Sequence, residues 1–141
     1  KSKKYLIKYD PKLWVLDTTQ TSSTELEWNA TFHSLDFAVV GYCSEYRLAV
    51  ADDYAETYIK SMWENLGTIK SFTKFKDSVN TVPVTSFELE METGGITYTY
   101  KGYLTSTLRG AFLFVVGTQK EVFEEDKLMI IDLLNGLGKG N

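Results

Sequence analysis

Three groups of side chains in this sequence are of types that carry chemistry: His33 with Cys43, several runs of carboxylates, and a large set of aromatic rings. His33 is the only histidine and Cys43 the only cysteine. Nucleophilic catalysis of the Ser-His-Asp or Cys-His kind needs that histidine within hydrogen-bond reach of a hydroxyl or thiol. His33 stands in NATFHSLD, between two predicted strands and away from any nucleophile elbow, so it reads as a turn or sheet-surface histidine. No catalytic residue is assigned. One Cys and one His also fall short of the usual N/S ligand set for zinc unless carboxylates join them.

Glu88, Glu90 and Glu92 alternate along one predicted strand and share a face. Successive members stand roughly 7 Å apart, too far for all three to close on one ion easily. Lys101, predicted to lie opposite Glu88, turns the array into a cross-strand ion pair on a wet surface. Glu121, Glu124, Glu125 and Asp126 open a predicted helix, where negative charge offsets the free N–H groups. No metal site is assigned, and no G-x-x-x-x-G-K-[ST] phosphate loop or other cofactor motif occurs. The aromatics are the remaining candidates: nine Tyr and three Trp can fill a core or line a ligand or partner surface. The residues singled out for such a surface are Trp14, Tyr54, Tyr58, Trp63, Tyr98 and Tyr100. Core packing is the simpler account of all six, and Trp14, just past the Asp10-Pro11 turn, reads as an anchor for the N-terminal segment.

The elements that would position these rings are clearest between Pro83 and Thr118. PVTSFELEMET, ITYTYKGYLTST and AFLFVVGT read as three strands separated by Gly94-Gly95 and Arg109-Gly110. With Gly94-Gly95 as turn, Thr93 faces Ile96, Glu88 faces Lys101, Leu89 faces Tyr100 and Phe87 faces Gly102. With Arg109-Gly110 as turn, Ser106 faces Leu113 and Leu104 faces Val115. One face then carries Phe87, Leu89, Met91, Tyr98, Tyr100, Leu104, Leu113 and Val115. The other carries the glutamates and, further in, Tyr103, Phe112, Phe114 and Val116. AFLFVV is apolar at both parities, so it requires cover on both faces.

Upstream, Tyr5–Tyr9 reads as a strand, Leu13–Leu16 as a second short apolar segment, TTQTSST as a polar loop, Glu25–Trp28 as a resumed strand, and DFAVVGYC as a buried strand from Asp36. Asp52–Leu66 is predicted as the first helix, capped by Asp52 or Asp53 and stopped by Gly67. Its apolar stripe is Tyr54, Ala55, Tyr58, Ile59, Met62, Trp63 and Leu66. Ile69–Val79 leads into the meander as a strand. A second helix spans Glu121–Leu134, with Phe123, Leu128, Ile131 and Leu134 inward, Ile130 beside them, and Gly136, Gly138 and Gly140 ending it. The expected class is α+β, an antiparallel sheet sandwiched between helices on both faces, in one domain spanning 1–141.

The length of 141 residues supports a substantial core, and 43% hydrophobic with 24% charged residues is the balance of a globular chain. A net charge of -4 gives no general attraction to nucleic acid or anionic lipid. The chain begins KSKK, without Met, which leaves room for an upstream signal peptide or lipidated cysteine that the sequence itself does not decide. The basic start (Lys1, Lys3, Lys4, Lys8) would suit a tether beside a membrane.

Tyr9-Asp10-Pro11 with Trp14 resembles the Y-x-P-x-x-W opening of the PsbP-like superfamily, named for an extrinsic subunit of the photosynthetic oxygen-evolving complex. DDYAETYIKSMWENL is similar to that family's first long helix. FELE, YTYKGY and FLFVV followed by FEEDKLMIIDLL resemble its closing strands and helix. The resemblance covers nearly the whole chain and implies an α/β/α sandwich. It also implies a non-enzymatic binding or assembly protein, since the family includes bacterial lipoproteins, secreted proteins and a nuclear-import factor that binds the GTPase Ran. No ion-binding motif of the photosynthetic members carries over. The expected function is a non-catalytic extracytoplasmic interaction domain, bacterial, cell-surface or secreted, peripheral to a membrane only through an upstream lipid anchor. Its partner would be an unknown protein. The alternative is a carrier holding a small apolar ligand between helix and sheet.

Overall fold

A computed structural model describes residues 4–19 and 26–140; Gln20–Thr24 of the expected loop and Glu25 of the expected strand lie outside the described residues. Among the described residues, seven strands form one antiparallel sheet in the order β2-β3-β4-β8-β7-β6-β5. They are β2 (Trp14–Thr19), β3 (Leu26–Ser34), β4 (Val40–Tyr46), β5 (Thr68–Val79), β6 (Val82–Thr93), β7 (Ile96–Thr107) and β8 (Gly110–Gln119). After β4 the chain crosses to the far edge and returns as a meander, so β8 closes against β4 with Tyr42 facing Val115 and Cys43 facing Phe114.

Local chemistry accounts for the hairpins. Asn80 and Thr81 (φ 48° and 67°), then Gly94 and Gly95 (φ 59° and 79°), adopt the left-handed pairs that two-residue turns need. The β6–β7 register is the expected one: Thr93 faces Ile96, Leu89 faces Tyr100, and Phe87 faces Gly102. The β7–β8 register differs from expectation by two residues, with Thr107 facing Gly110 and Leu104 facing Leu113. Gly110 is thus the first residue of β8 rather than part of the turn. A side chain there would stand 2.2 Å from the Tyr46 carbonyl oxygen, so glycine serves a close approach of β4. A two-residue shift preserves parity, and the expected faces survive it.

Those faces nucleate two cores. On one, Phe87, Leu89, Met91, Leu104, Leu113 and Val115 cluster with Ala55, Ile59 and Trp63 of helix α1 (Ala55–Trp63). On the other, Phe112, Phe114, Val116 and Tyr103 cluster with Trp14, Phe32 and the helices α2 (Lys120–Glu125) and α3 (Lys127–Leu134). Phe114 and Leu113 are both 0% exposed, as a strand apolar at both parities requires.

The helices depart from the expected bounds. Asp52–Tyr54 is a 3-10 turn ahead of α1, and Asp52 pairs with Lys76 at 2.8 Å while no side chain caps the helix. Tyr54 and Leu66, expected on the buried stripe, are 53% and 58% exposed. The second expected helix breaks at Asp126, and Leu128 is 83% exposed while Phe123, Ile130, Leu133 and Leu134 are buried. Leu128 lies roughly 140° around a helix from Phe123, so one face cannot hold both.

The C-terminal glycines do not simply end the chain's structure: Leu137–Lys139 is β9, which pairs antiparallel with β1 (Tyr5–Ile7). The first strand therefore joins a separate ribbon, which lies on the second core through Tyr5 stacked on Phe112 (4.8 Å between ring centroids) and Leu137 (0% exposed). β4 starts at Val40 because Asp36 ends in a tight turn, its carboxylate accepting from Ser34 Oγ (2.6 Å) and Ala38 N (3.0 Å). No helix among the described residues is long and apolar enough to cross a membrane.

Candidate functional site

The groups with catalytic chemistry are kept apart by the sheet. Ala30 faces Cys43 across β3–β4, whereas His33 stands three residues further along β3 and opposes Val40. That separation is roughly 10 Å along the strand, with opposite face orientation. Burial pushes the Cys43 thiol up to about 12, so it keeps its proton. His33 Nδ1 lies 2.8 Å from the Ser34 carbonyl oxygen, its Nε2 3.9 Å from Asp17, and its ring stacks on Phe37 at 3.9 Å. Among the described residues, no three His, Cys, Asp or Glu side chains gather around one metal position. Glu90 pairs with Lys120 (3.4 Å) and Glu92 with Lys70 (3.6 Å). Glu88 and Lys101 face each other in the ladder, as expected, but form no ion pair.

The aromatic candidates divide by position. Trp14 is 2% exposed within the second core, and Tyr54 stands out in solvent. Tyr58 meets Tyr46 edge-on, with centroids 6.2 Å apart. Trp63, Tyr98 and Tyr100 come together at a cleft of about 490 Å³ between α1 and the first core face of the sheet. α1 supplies Trp63 and Met62; β7 supplies Tyr98 and Tyr100; β4 and β8 supply Tyr42, Val115 and Gly117. Trp63 and Tyr100 lie 5.3 Å apart, tilted by 54°.

Gly117 faces Tyr100 across β7–β8, and a side chain on it would fall 2.2 Å from that ring. The Tyr100 ring thus lies directly over backbone. Phe37, Val40 and Leu66, 68%, 49% and 58% exposed, form an apolar lip to the same cleft. Burial raises the Tyr42 phenol above its ordinary range, with the Tyr46, Tyr100 and Tyr58 phenols adding to the effect. Burial also raises Tyr100, reinforced by Tyr98 and opposed by a hydrogen bond with the Trp63 side chain. Both remain uncharged donors at neutral pH.

Two other depressions are less suited to holding an apolar group. One of about 710 Å³ beside β1 and β9 is wide open and lined by Lys8, Asp10, Asp132 and Lys139. One of about 140 Å³ lies between Glu88, Glu90, Glu124 and Lys127. Tyr42 and Phe37 were not legible as cleft residues in the sequence. Tyr42 reaches the site only through the β4–β8 pairing, and Phe37 only because the Asp36 turn interrupts the expected strand.

No protein-family model matches the chain, and no curated protein matches it. Solved structures do. Cyanobacterial PsbP (CyanoP) from Synechocystis sp. PCC 6803 matches with a TM-score of 0.59 at 9% identity, over 97% of this chain and 93% of that one. LpqN of Mycobacterium tuberculosis, a protein involved in cell envelope biogenesis, matches with a TM-score of 0.52 at 8% identity, over 97% and 83%. A Bacteroides thetaiotaomicron protein matches at 0.57 and 13% identity over 97% of this chain, which spans only 45% of that longer one. At these identities the likeness is one of architecture. The meander closed against β4, with its two opposed cores, is the PsbP-like fold.

Proposed function

We propose that the chain is a single PsbP-like α/β/α sandwich acting as a non-catalytic extracytoplasmic interaction or assembly domain, with the α1–sheet cleft as its working surface. One observation carries this reading: an aromatic cleft continues outward into an apolar lip of Phe37, Val40 and Leu66 that the fold leaves in solvent. Exposed apolar groups that adjoin a concave site mark places where something else completes the burial. The shielded thiol of Cys43 and its separation from His33 support a role without covalent chemistry. The extracytoplasmic setting, as the soluble part of a bacterial lipoprotein or secreted protein, draws support from the fold shared with LpqN and CyanoP. The cleft volume of about 490 Å³ favours a second reading, a carrier for a small apolar molecule.

Both readings place the contact at the lip, so one variant addresses them. Leu66→Asp changes an exposed residue and should leave folding intact. Compounds or partner proteins that raise the unfolding temperature of the wild-type chain should lose that effect on the variant. Stabilisation that is indifferent to Leu66→Asp, or turnover of any screened substrate by the wild-type chain, would sink the proposal.

A further inference from the structure

We propose that the α1–sheet cleft takes an uncharged, flat conjugated-ring compound, with Phe37 as the ring that closes over it. The inference rests on the carrier reading and adds the chemistry of the cargo.

Charge is the first discriminator. Among the described residues, the cleft is lined by Phe37, Tyr42, Trp63, Tyr98 and Tyr100 with aliphatic, small and uncharged polar residues, and no Lys, Arg, His, Asp or Glu is among them. A carboxylate, phosphate or ammonium entering would lose hydration and gain no counter-charge. The buried phenols do not supply one, since Tyr42 and Tyr100 are held in the protonated form. Electron-rich ring faces attract cations, but a buried cation without a nearby carboxylate remains costly.

Shape is the second. Tyr100 lies over Gly117, whose missing side chain lets the ring sit against the strand and gives the cleft a planar wall. Tyr98 follows two residues along on the same face, and Trp63 stands 5.3 Å from Tyr100. Aromatic faces gain most from a second π-system in offset or edge contact, more than from a flexible chain of equal area. At one end, Tyr98 and Gln119 occupy facing positions of β7 and β8, supplying a hydroxyl and a carboxamide for one polar substituent.

Phe37 is the third and independent observation. It adopts φ 60°, a left-handed conformation strained for a bulky residue, while 68% exposed. The turn holds it there firmly: Phe37 N donates to the Ser34 carbonyl (3.0 Å), Ala38 N to Asp36 Oδ1 (3.0 Å), and Thr118 Oγ1 to the Ala38 carbonyl (2.6 Å). Hydrogen bonds donated by Ser34 and Ala38 hold the Asp36 carboxyl below its usual range, so the carboxylate that anchors the turn stays ionised further into acid. Glycine would suit this backbone better, and the ring belongs to neither core; its protein contact is a stack on His33 at 3.9 Å, which fixes its orientation at the cleft mouth. A strained, rigidly held and exposed aromatic at the mouth of an aromatic cleft is placed for a ligand.

Four probes test the inference by calorimetry and amide chemical shifts: 2-naphthol, 2-naphthoate, a naphthylmethyl-trimethylammonium salt and 1-decanol. 2-Naphthol should bind saturably, shift amides of the Met62–Leu66, Phe37–Val40 and Gly117–Gln119 segments, and bind about tenfold tighter than each of the others. Phe37→Gly should keep or raise the unfolding temperature, because it relieves the left-handed strain, yet weaken 2-naphthol about tenfold. Equal or tighter binding of either ion or of 1-decanol overturns the ligand class while leaving the cleft as a binding site. Unchanged 2-naphthol affinity in Phe37→Gly, or shifts outside the cleft, overturns it as well. If no probe binds, the ligand class falls. The cleft reading falls with it only if Leu66→Asp also leaves every wild-type stabiliser effective.

Discussion

Cys43 shows how position decides the chemistry of a residue. In isolation it is a nucleophile and metal ligand; in β4, facing Phe114 and 0% exposed, it is a small apolar side chain whose thiol is raised to about 12. The unfolded chain carries the same thiol near its ordinary 9.0. Above that value the unfolded state has released a proton that the folded state still holds. The stabilisation is therefore complete below about pH 9 and is lost as pH rises through about 12. Tyr42, raised by burial in the opposite core, adds in the same direction. Urea unfolding between pH 8 and 11, roughly across that window, should show falling stability in the wild-type chain and a shallower fall in Cys43→Ala. Equal slopes would mean that the thiol is not shielded. Trp63 is the counterpart at the cleft, a ring that the sequence offered both as core and as surface and that its neighbours Tyr100 and Phe87 place at the boundary between the first core and the cleft.

Among elements, the break at Asp126 has the clearest consequence. With α2 and α3 as separate short helices, Phe123 and Ile130 both reach the core while Leu128 faces solvent. A continuous helix with Leu128 inward predicts the opposite sensitivities. Leu128→Lys should change stability by about 0.5 kcal/mol or less, as exposed substitutions do. Ile130→Ala should cost about 2–5 kcal/mol, since it empties a fully buried site. Chemical denaturation of both variants decides between the two faces; a large loss in Leu128→Lys would restore the continuous helix. The β5–β6 hairpin is tied to the same region, with Asn80 Nδ2 donating to the carbonyls of Asn135 (2.8 Å) and Leu137 (2.7 Å). That contact joins the meander to the segment leading into β9.

For the molecule as a whole, β8 is the shared wall of two cores, and each core is closed by a different part of the chain. The second closes through the termini: β1 pairs with β9, and Trp14 follows the Asp10 turn, where Trp14 N and Leu13 N both donate to the Asp10 carbonyl at 3.0 Å. The ring is 2% exposed in the cluster with Phe32, Phe114 and Leu134. Trp14→Ala should cost about 3–5 kcal/mol, a large share of the roughly 5–15 kcal/mol that holds a domain folded. The unfolding midpoint should fall accordingly, with 2-naphthol affinity unchanged at temperatures where the variant is folded. Wild-type stability in Trp14→Ala would remove the anchor role.

The sequence alone determined what depends on neighbours along the chain. Period-two alternation and the Gly94-Gly95 turn specified the β6–β7 register and both faces of β8, because side-chain direction follows backbone parity. Parity also protected the face assignment when the β7–β8 register differed by two residues. The aromatic series YTYKGY likewise showed that Tyr98 and Tyr100 share a face.

Tertiary structure decided the contacts that join distant segments: β4 against β8, which brings Tyr42 to Val115; β1 against β9; and α1 over Tyr100. Non-local pairing is selected by burial of the whole surface, and each local pattern is compatible with several partners. The cleft exists only where three such segments meet, so its rings were legible one by one but their assembly into a site was not.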